Sequence, residues 1–323
     1  MPYKQNDDRR HKFDKAKYKV TNWSEYNDSL KNRFNITIWF SDEAIESWHP
    51  EIKNKKRGAQ PTYSDIAIET VLTVRSVFKF PLRGTQGFLE SIASIMGLEI
   101  TIPNYSTLSR RAKNLEVIKY VIKSNEPINM IVDSTGLKIC GSGEWQETKH
   151  GLQKRKSWRK LHLAIDEKTG NIVASELTTH KKDDPSQMPV IVGQVDNDIE
   201  SISADGAYDR KEVYDVLDTH ESGPIKSIIP PRKDARLSDN ALISPTQRDR
   251  HIVAIEEKGR MKWQKDTGYN KRSLVETAMF RYKVLIGGFL RSSKFKNQIT
   301  EAKIGIAILN KMTDLGMPKT VRA

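Results

Sequence analysis

An α/β fold is what this 323-residue sequence predicts: a mixed five-stranded sheet flanked by helices, preceded by a helical region. Three observations carry that reading. Residues 61–122 place apolar side chains at helical spacing with no strand-like alternation. After Asn125 the pattern switches to short β-rich runs, three in succession. Runs of strand and helix character then alternate, which calls for a sheet covered on both faces.

The elements follow in order. Residues 1–60 form a polar segment with a short helix near 24–33 and Trp23, Trp39 and Trp48 as anchors. KNKKRGAQP, residues 53–61, reads as a basic loop. Tyr63-Ser64-Asp65 starts a helix through IAIETVLTVRSVFKF, which Pro81 stops. RGTQGFLESIASIMG is a second amphipathic helix ending at Gly97. Ser106 is the expected N-cap of a third, short helix bearing Ser109, Arg110, Arg111 and Lys113. Three short helices, the last basic and rich in hydroxyls, read as a helix-turn-helix over residues 61–122.

INMIVDSTGLKI is the first strand of the second part, residues 125–313. WRKLHLAIDEKTGNIVASELTTH reads as a hairpin turning at Glu167-Lys168-Thr169-Gly170. Asp184-Pro185 reads as a cap and first position of the helix SQMPVIVGQV. SISADGAYD is a strand, RKEVYDVLDTH a helix, SIIPP a short strand, and SLVETAMFRYKVLIGG and TEAKIGIAILNKMT are helices. That order is the order of a ribonuclease-H-like fold. Residues 314–323 are a tail.

Charge narrows the partner. The chain carries 54 Lys and Arg against 41 Asp and Glu, a net +13. The surplus falls in two blocks, residues 138–160 and 258–323, with an acid-richer middle between them. Clustered cations bind a phosphate backbone by releasing its counterions, so nucleic acid is the expected partner. Lys154, Arg155 and Lys156 lie in the first block and are expected DNA contacts. Trp145 and Trp158 bracket that block and are expected to pack on the sheet. His150 lies in its basic loop. One cysteine, Cys140, excludes a disulfide framework and a thiolate zinc site. No apolar run of about 18 residues occurs, so no membrane span is expected. A soluble, cytoplasmic protein is the expectation. The absence of a phosphate-binding glycine loop argues against a nucleotide cofactor.

Three acids fit a metal-dependent chemistry. Asp133 is expected at the end of the first strand and Asp205 at the end of the fourth. If those strands are parallel neighbours, both carboxylates emerge at one sheet edge, where open α/β sheets place their ligands. Glu276 lies in an apolar helical stretch, where an unpaired buried acid is costly and a metal ion removes that cost. Carboxylate oxygens suit Mg²⁺ or Mn²⁺, and two ions can serve one phosphodiester. His162 alternates along a strand and reads as packed rather than ligating.

In TGYNKRSLVETAMFRYK, Tyr269, Arg272, Glu276 and Lys283 are separated by two, three and six residues. This resembles the Y-R-E-K signature of bacterial insertion-sequence transposases of the DDE class, in all four residues and all three spacings. VDSTGLKI, GEWQETKHG, WRKLHLAID, ADGAYD, IPPR and LNKMTDLGMP are similar to the insertion-sequence-five family, nine-oh-three subgroup, and the similarity runs from Asn54 to Gly316. The resemblance implies a ribonuclease-H-like core whose triad is Asp133, Asp205 and Glu276, holding two Mg²⁺ or Mn²⁺ ions. It implies that Tyr269, Arg272 and Lys283 contact transposon-end DNA. It implies cleavage at terminal inverted repeats and transfer into target DNA by a dimer or higher oligomer assembled on the ends. The gap of 71 residues from Asp205 to Glu276 leaves no room for a large insertion domain. Two other readings stay open: a helix-turn-helix regulator without catalysis, and a metal-dependent nuclease that cuts without joining.

Overall fold

The computed structural model describes residues 17–50, 60–117, 120, 126–140 and 158–323. The expected features at Trp145, His150, Lys154, Arg155 and Lys156, and nearly all of the basic loop 53–61, lie outside the described residues.

The chain opens with strand β1 (Tyr18–Val20) and helices α1 (Trp23–Asn32), α2 (Ile36–Trp39) and α3 (Asp42–Glu46). Trp39 and Trp48 are buried, as their anchoring role requires, whereas Trp23, at the start of α1, is exposed and anchors nothing by burial. Then come α4 (Asp65–Val77), α5 (Leu82–Ile95) and α6 (Tyr105–Arg111). The Ser64 hydroxyl accepts from the Ala67 amide at 3.0 Å and starts α4 as read from sequence. Ser106 does not cap α6. The Asn104 carboxamide accepts from the Ser106 amide at 2.9 Å, which puts the cap two residues earlier and Ser106 in the first turn.

The sheet is mixed and six-stranded rather than five-stranded. Its strands are β2 (Ile128–Ile139), β3 (Trp158–Asp166), β4 (Ile172–Thr179), β5 (Ile199–Ser203), β6 (Lys226–Ile228) and β7 (Phe289–Leu290). They lie in the order β4-β3-β2-β5-β6, with β7 against β2. β2 is antiparallel to β3 and parallel to β5. Its twelve residues outrun the β5 ladder, and the overhang at Lys138 and Ile139 pairs with β7. Asp133 is therefore in mid-strand, not at a strand end, but it lies just past the last pair with β5.

Helix α7 (Met188–Val192) is shorter than the sequence suggests and follows a 3₁₀ turn at Pro185–Gln187. Asp184 makes no capping bond there; its carboxylate pairs with Lys160 at 3.0 Å instead. α8 (Lys211–Asp218) precedes β6; α9 (Gln247–Lys258) and α10 (Arg260–Thr267) fill the stretch before the glutamate helix, α11 (Ser273–Leu285). α12 (Phe295–Asp314) and strand β8 (Thr320–Arg322) follow, and β8 pairs antiparallel with β1.

Period-two alternation sends the two faces of β2 into different cores. Met130 and Val132 pack with Met188, Ile191, Val213 and Leu217 of α7 and α8. Ile131 packs with Val275, Ala278 and Met279 of α11 and with Ala302, Ile306 and Leu309 of α12. α12 also serves a third core. Ile304, Ile308 and Met312, on its other side, join Ile68, Val71, Leu89 and Leu108 of the N-terminal helices. Asn310 and Gln194 side chains take backbone groups of the edge strand β4 at Ile172 and Ser175. Those bonds blunt an edge that would otherwise invite pairing.

Candidate active site

Parallel pairing sets the first two acids side by side. Ile131 of β2 is in register with Ser203 of β5. Two residues further along each chain stand Asp133 and Asp205, as the sequence requires if the strands are parallel neighbours. Asp205 begins a 3₁₀ turn, Gly206–Tyr208, and its carboxylate accepts from the Ala207 amide at 2.9 Å. Asp133 shares the α11 side of β2 with Ile131, and its carboxylate accepts from the Ser134 amide at 2.7 Å.

α11 brings the third acid. Gly259 and Gly268 take positive φ angles of 78° and 73°, ending α9 and α10 in turn. A 3₁₀ turn, Tyr269–Arg272, then leads into α11. Arg272 thus precedes the α-helix rather than lying within it, but its φ and ψ of −52° and −29° are helical, so the four-residue step to Glu276 holds. The Arg272 guanidinium donates to Glu276 with one nitrogen and to Asp133 with the other, the latter at 3.0 Å. It is therefore more than a local helix pair: it spans two of the three acids. Tyr269 lies between Trp263, 5.5 Å between ring centroids, and the Arg272 guanidinium, 5.9 Å from its ring. Trp263 is buried and donates to His251 at 3.1 Å, so the basic stretch 248–265 is a packed helical pair that backs Tyr269.

Burial raises the Asp133 carboxyl to about 6; the Asp205 and Glu276 carboxylates add to the rise, while the Ser134 amide and Arg272 oppose it. An unfolded aspartate titrates near ~3.9. Between these values only the folded chain binds the extra proton, so the contribution of this carboxyl to stability is greatest at the acid end and is lost as pH rises through about 6. Melting temperature in EDTA is thus expected to fall for wild type relative to Asp133→Asn as pH goes from about 4 to about 6. A constant offset between the two would remove this carboxyl as the source.

The donor chemistry of Asp133, Asp205 and Glu276 fits a hard divalent cation. Among the described residues no three His, Cys, Asp or Glu side chains are grouped to hold one ion together. Arg272 occupies the Asp133 and Glu276 oxygens instead.

Other expected residues fall elsewhere. Lys283 is exposed on α11, seven residues past Glu276. Ser106, Ser109, Arg110 and Lys113 are exposed on α6 and the 3₁₀ turn after it. Arg111 is turned inward, to the Tyr63 carbonyl at 3.0 Å and Asp65 at 2.7 Å. No described hydrogen bond or ion pair links this helix to the three acids; Asn297 and Thr300 tie its Ser109 and Ala112 carbonyls to α12. His162 is buried against Thr178 at 2.9 Å, and burial lowers its pKa to about 4, in keeping with a packed role. Cys140 is exposed. Trp158 is partly exposed and lies 5.9 Å, between ring centroids, from His180.

Sequence reasoning missed two groups. The buried Asp209 carboxylate, four residues after Asp205, is held by Arg248 at 2.7 Å, the Tyr214 hydroxyl at 3.2 Å and the Arg232 amide at 2.9 Å. Tyr208 is buried with its hydroxyl unpaired among the described residues. Burial raises its pKa, and the charges of Asp184, Asp133 and Asp205 raise it further. Asp209 and Tyr208 both lie in ADGAYD, but nothing in that string names their partners.

Two family models described as a transposase DDE domain match the chain, over residues 31–142 and over residues 125–310. Among solved structures, the chain is similar to a piggyBac transposase synaptic complex with hairpin DNA. Identity is 9%, coverage is 91% of this chain and 76% of that one, and the TM-score is 0.39. It is also similar to a Mos1 transposase paired-end complex with the left transposon end. There the identity is 11%, the coverage 82% and 81%, and the TM-score 0.23. No described helix is long and apolar enough to cross a membrane.

Proposed function

The chain belongs to the transposases with a DDE domain, and from that premise we propose that Asp133, Asp205 and Glu276 are its catalytic acids. It is a DNA transposase, an enzyme that cuts DNA strands and joins them to new sites. The finer assignment is to the insertion-sequence-five family, nine-oh-three subgroup. On this reading the protein acts at the terminal inverted repeats of its own element, as a dimer or higher oligomer on the paired ends. The observation that carries the site is the register of β2 and β5, which sets Asp133 beside Asp205 with Arg272 joining Asp133 to Glu276.

Asp133, Asp205 and Glu276 would hold Mg²⁺ or Mn²⁺, two ions in all, whose chemistry when bound is to polarise a phosphodiester and an attacking oxygen. The protein's part is positioning. β2 and the turn after β5 fix two carboxylates by backbone amide bonds, so little ordering is left to DNA binding. Arg272 can grip a backbone phosphate with two nitrogens, and the Tyr269 ring beside it limits its swing. Lys283, exposed on the same helix, supplies a second phosphate contact. The exposed face of α6, with Ser106, Ser109, Arg110 and Lys113, is the proposed groove-reading surface of a helix-turn-helix, with Arg111 serving to brace it against α4. Lys154, Arg155 and Lys156 remain proposed backbone contacts from the sequence alone.

The test is incubation of the protein with Mg²⁺ and duplex DNA ending in the repeats that flank its gene. Nicks at the repeat ends and joined products are the expected result. Nicks without joining would favour the cutting nuclease, and specific binding without either product would favour the regulator. Binding is expected to weaken steeply with salt, in proportion to the phosphates contacted.

A further inference from the structure

The Arg272 guanidinium is bound to two of the three acids at once. Its Nη1 lies 3.0 Å from Asp133 Oδ2, and its Nη2 donates to Glu276 Oε1. The arginine side chain is 22% exposed and Asp133 is 18% exposed, whereas Glu276 is 48% exposed. The pair with Asp133 is thus largely shielded from water, where an ion pair is screened least. A guanidinium cannot give up its proton, so it cannot leave these carboxylates by becoming neutral. It leaves only by moving to another anion. A phosphate diester offers the same two-pronged acceptor geometry as a carboxylate. A divalent cation, for its part, needs the oxygen atoms that Arg272 now holds.

We propose that Arg272 is the resting counter-ion of the acidic triad and exchanges those carboxylates for a DNA phosphate, so that metal binding and DNA binding strengthen each other. This rests on reading Asp133 and Glu276 as metal-holding acids. In free protein the guanidinium competes with the metal for both carboxylates. When the DNA backbone takes the guanidinium, the carboxylates are released to the metal beside the phosphate to be cut. Linkage makes the effect reciprocal: a metal that displaces Arg272 frees it for DNA and raises DNA affinity by the same factor. A protein built this way keeps little metal until DNA is in place. The Tyr269 ring, 5.9 Å from the guanidinium, flanks the side chain through the exchange.

Mn²⁺ binding to the full chain, measured by isothermal titration calorimetry and by the free-ion electron paramagnetic resonance signal, tests the exchange without relying on cleavage. The ligands compared are Mn²⁺ alone and Mn²⁺ with a saturating random-sequence duplex. Wild type is expected to bind Mn²⁺ about tenfold more tightly with the duplex than without it, within the usual range of coupling between two sites. Arg272→Gln is expected to bind Mn²⁺ about tenfold more tightly than wild type without DNA, and to gain much less from the duplex. Arg272→Lys keeps the charge but has one nitrogen for two acids, so its DNA-free affinity should fall between them. Melting temperatures establish that each variant is folded, and if Arg272→Gln does not fold, Arg272→Lys carries the comparison. Equal DNA-free Mn²⁺ affinity in wild type and the folded variants overturns the exchange. Asp133→Asn separates the two levels of the argument. Loss of Mn²⁺ binding in Asp133→Asn with no effect at Arg272 overturns the exchange alone. Unchanged Mn²⁺ binding in Asp133→Asn overturns the reading of the acids and the exchange with it.

Discussion

Asp133→Asn, Asp205→Asn and Glu276→Gln are each expected to lower nicking and joining by ~10²–10³-fold or more, the scale of losing a single aimed electrostatic group in an active site. Each substitution keeps the shape of the side chain and removes its charge. None should weaken DNA binding, since phosphate contacts are assigned to Arg272, Lys283 and the basic helix. The three losses should not add: a double variant should be nearly as slow as either single one, because the acids act as a unit. Rates come from nicking of a labelled repeat-end duplex, with affinity measured in parallel by gel shift. A variant that nicks near the wild-type rate would take its residue out of the triad. If all three do so, the charge of these acids has no part in the chemistry.

The second large effect is on folding. Arg248→Ala is expected to cost about 3–5 kcal/mol of stability, because it strands the Asp209 carboxylate in the interior. That carboxylate is fully buried, and Arg248 meets both of its oxygens, at 2.7 Å and 3.3 Å. Burial alone would raise the Asp209 pKa; Arg248, the Arg232 amide and the Tyr214 hydroxyl together hold it below the ordinary value. A depressed carboxyl adds stability above the unfolded value and loses it as pH falls through the folded one. The wild-type advantage over Arg248→Ala should therefore shrink as pH falls, first as the stranded carboxyl of the variant takes up a proton and then as the wild-type one does. Replacing both partners, as in Asp209→Asn with Arg248→Met, should recover much of the loss, since the desolvation cost goes with the charges. Urea unfolding followed by circular dichroism reads all three. A single variant within ~0.5 kcal/mol of wild type would mean that the pair is not holding the turn after Asp205.

The two aspartates were legible in the sequence because their environment is local. Each ends an apolar β-rich run in a polar step, and a parallel arrangement of those runs is enough to bring them together. Glu276 was legible through its four-residue step from Arg272 and the wider spacing to Tyr269 and Lys283. What Arg272 does besides that step was not legible, because Asp133 lies 139 residues away and no periodicity spans such a distance. Asp209 and Arg248 are hidden for the same reason, across a helix, a strand and a loop. The sixth strand escaped notice because two residues, Phe289 and Leu290, are too few to alternate. The cap of α6 was misplaced because Asn104 and Ser106 are both good caps, and only the chain's entry angle chooses between them. Asp184 looked like a cap because it precedes a proline, yet Lys160 draws its carboxylate away.

The double duty of α12 bears on how this enzyme can be taken apart at the bench. A fragment beginning near Pro127 would keep all three acids and the whole sheet. It would also strip the cover from Ile304, Ile308 and Met312, which in the full chain face Ile68, Val71 and Leu108. Such a fragment carries a greasy stripe along its longest helix and should aggregate. Deletion mapping would then record a lost activity and assign it to DNA recognition, when the cause is an uncovered helix. Point changes on the exposed face of α6, which leave that cover in place, are the sound way to test its proposed recognition role apart from chemistry.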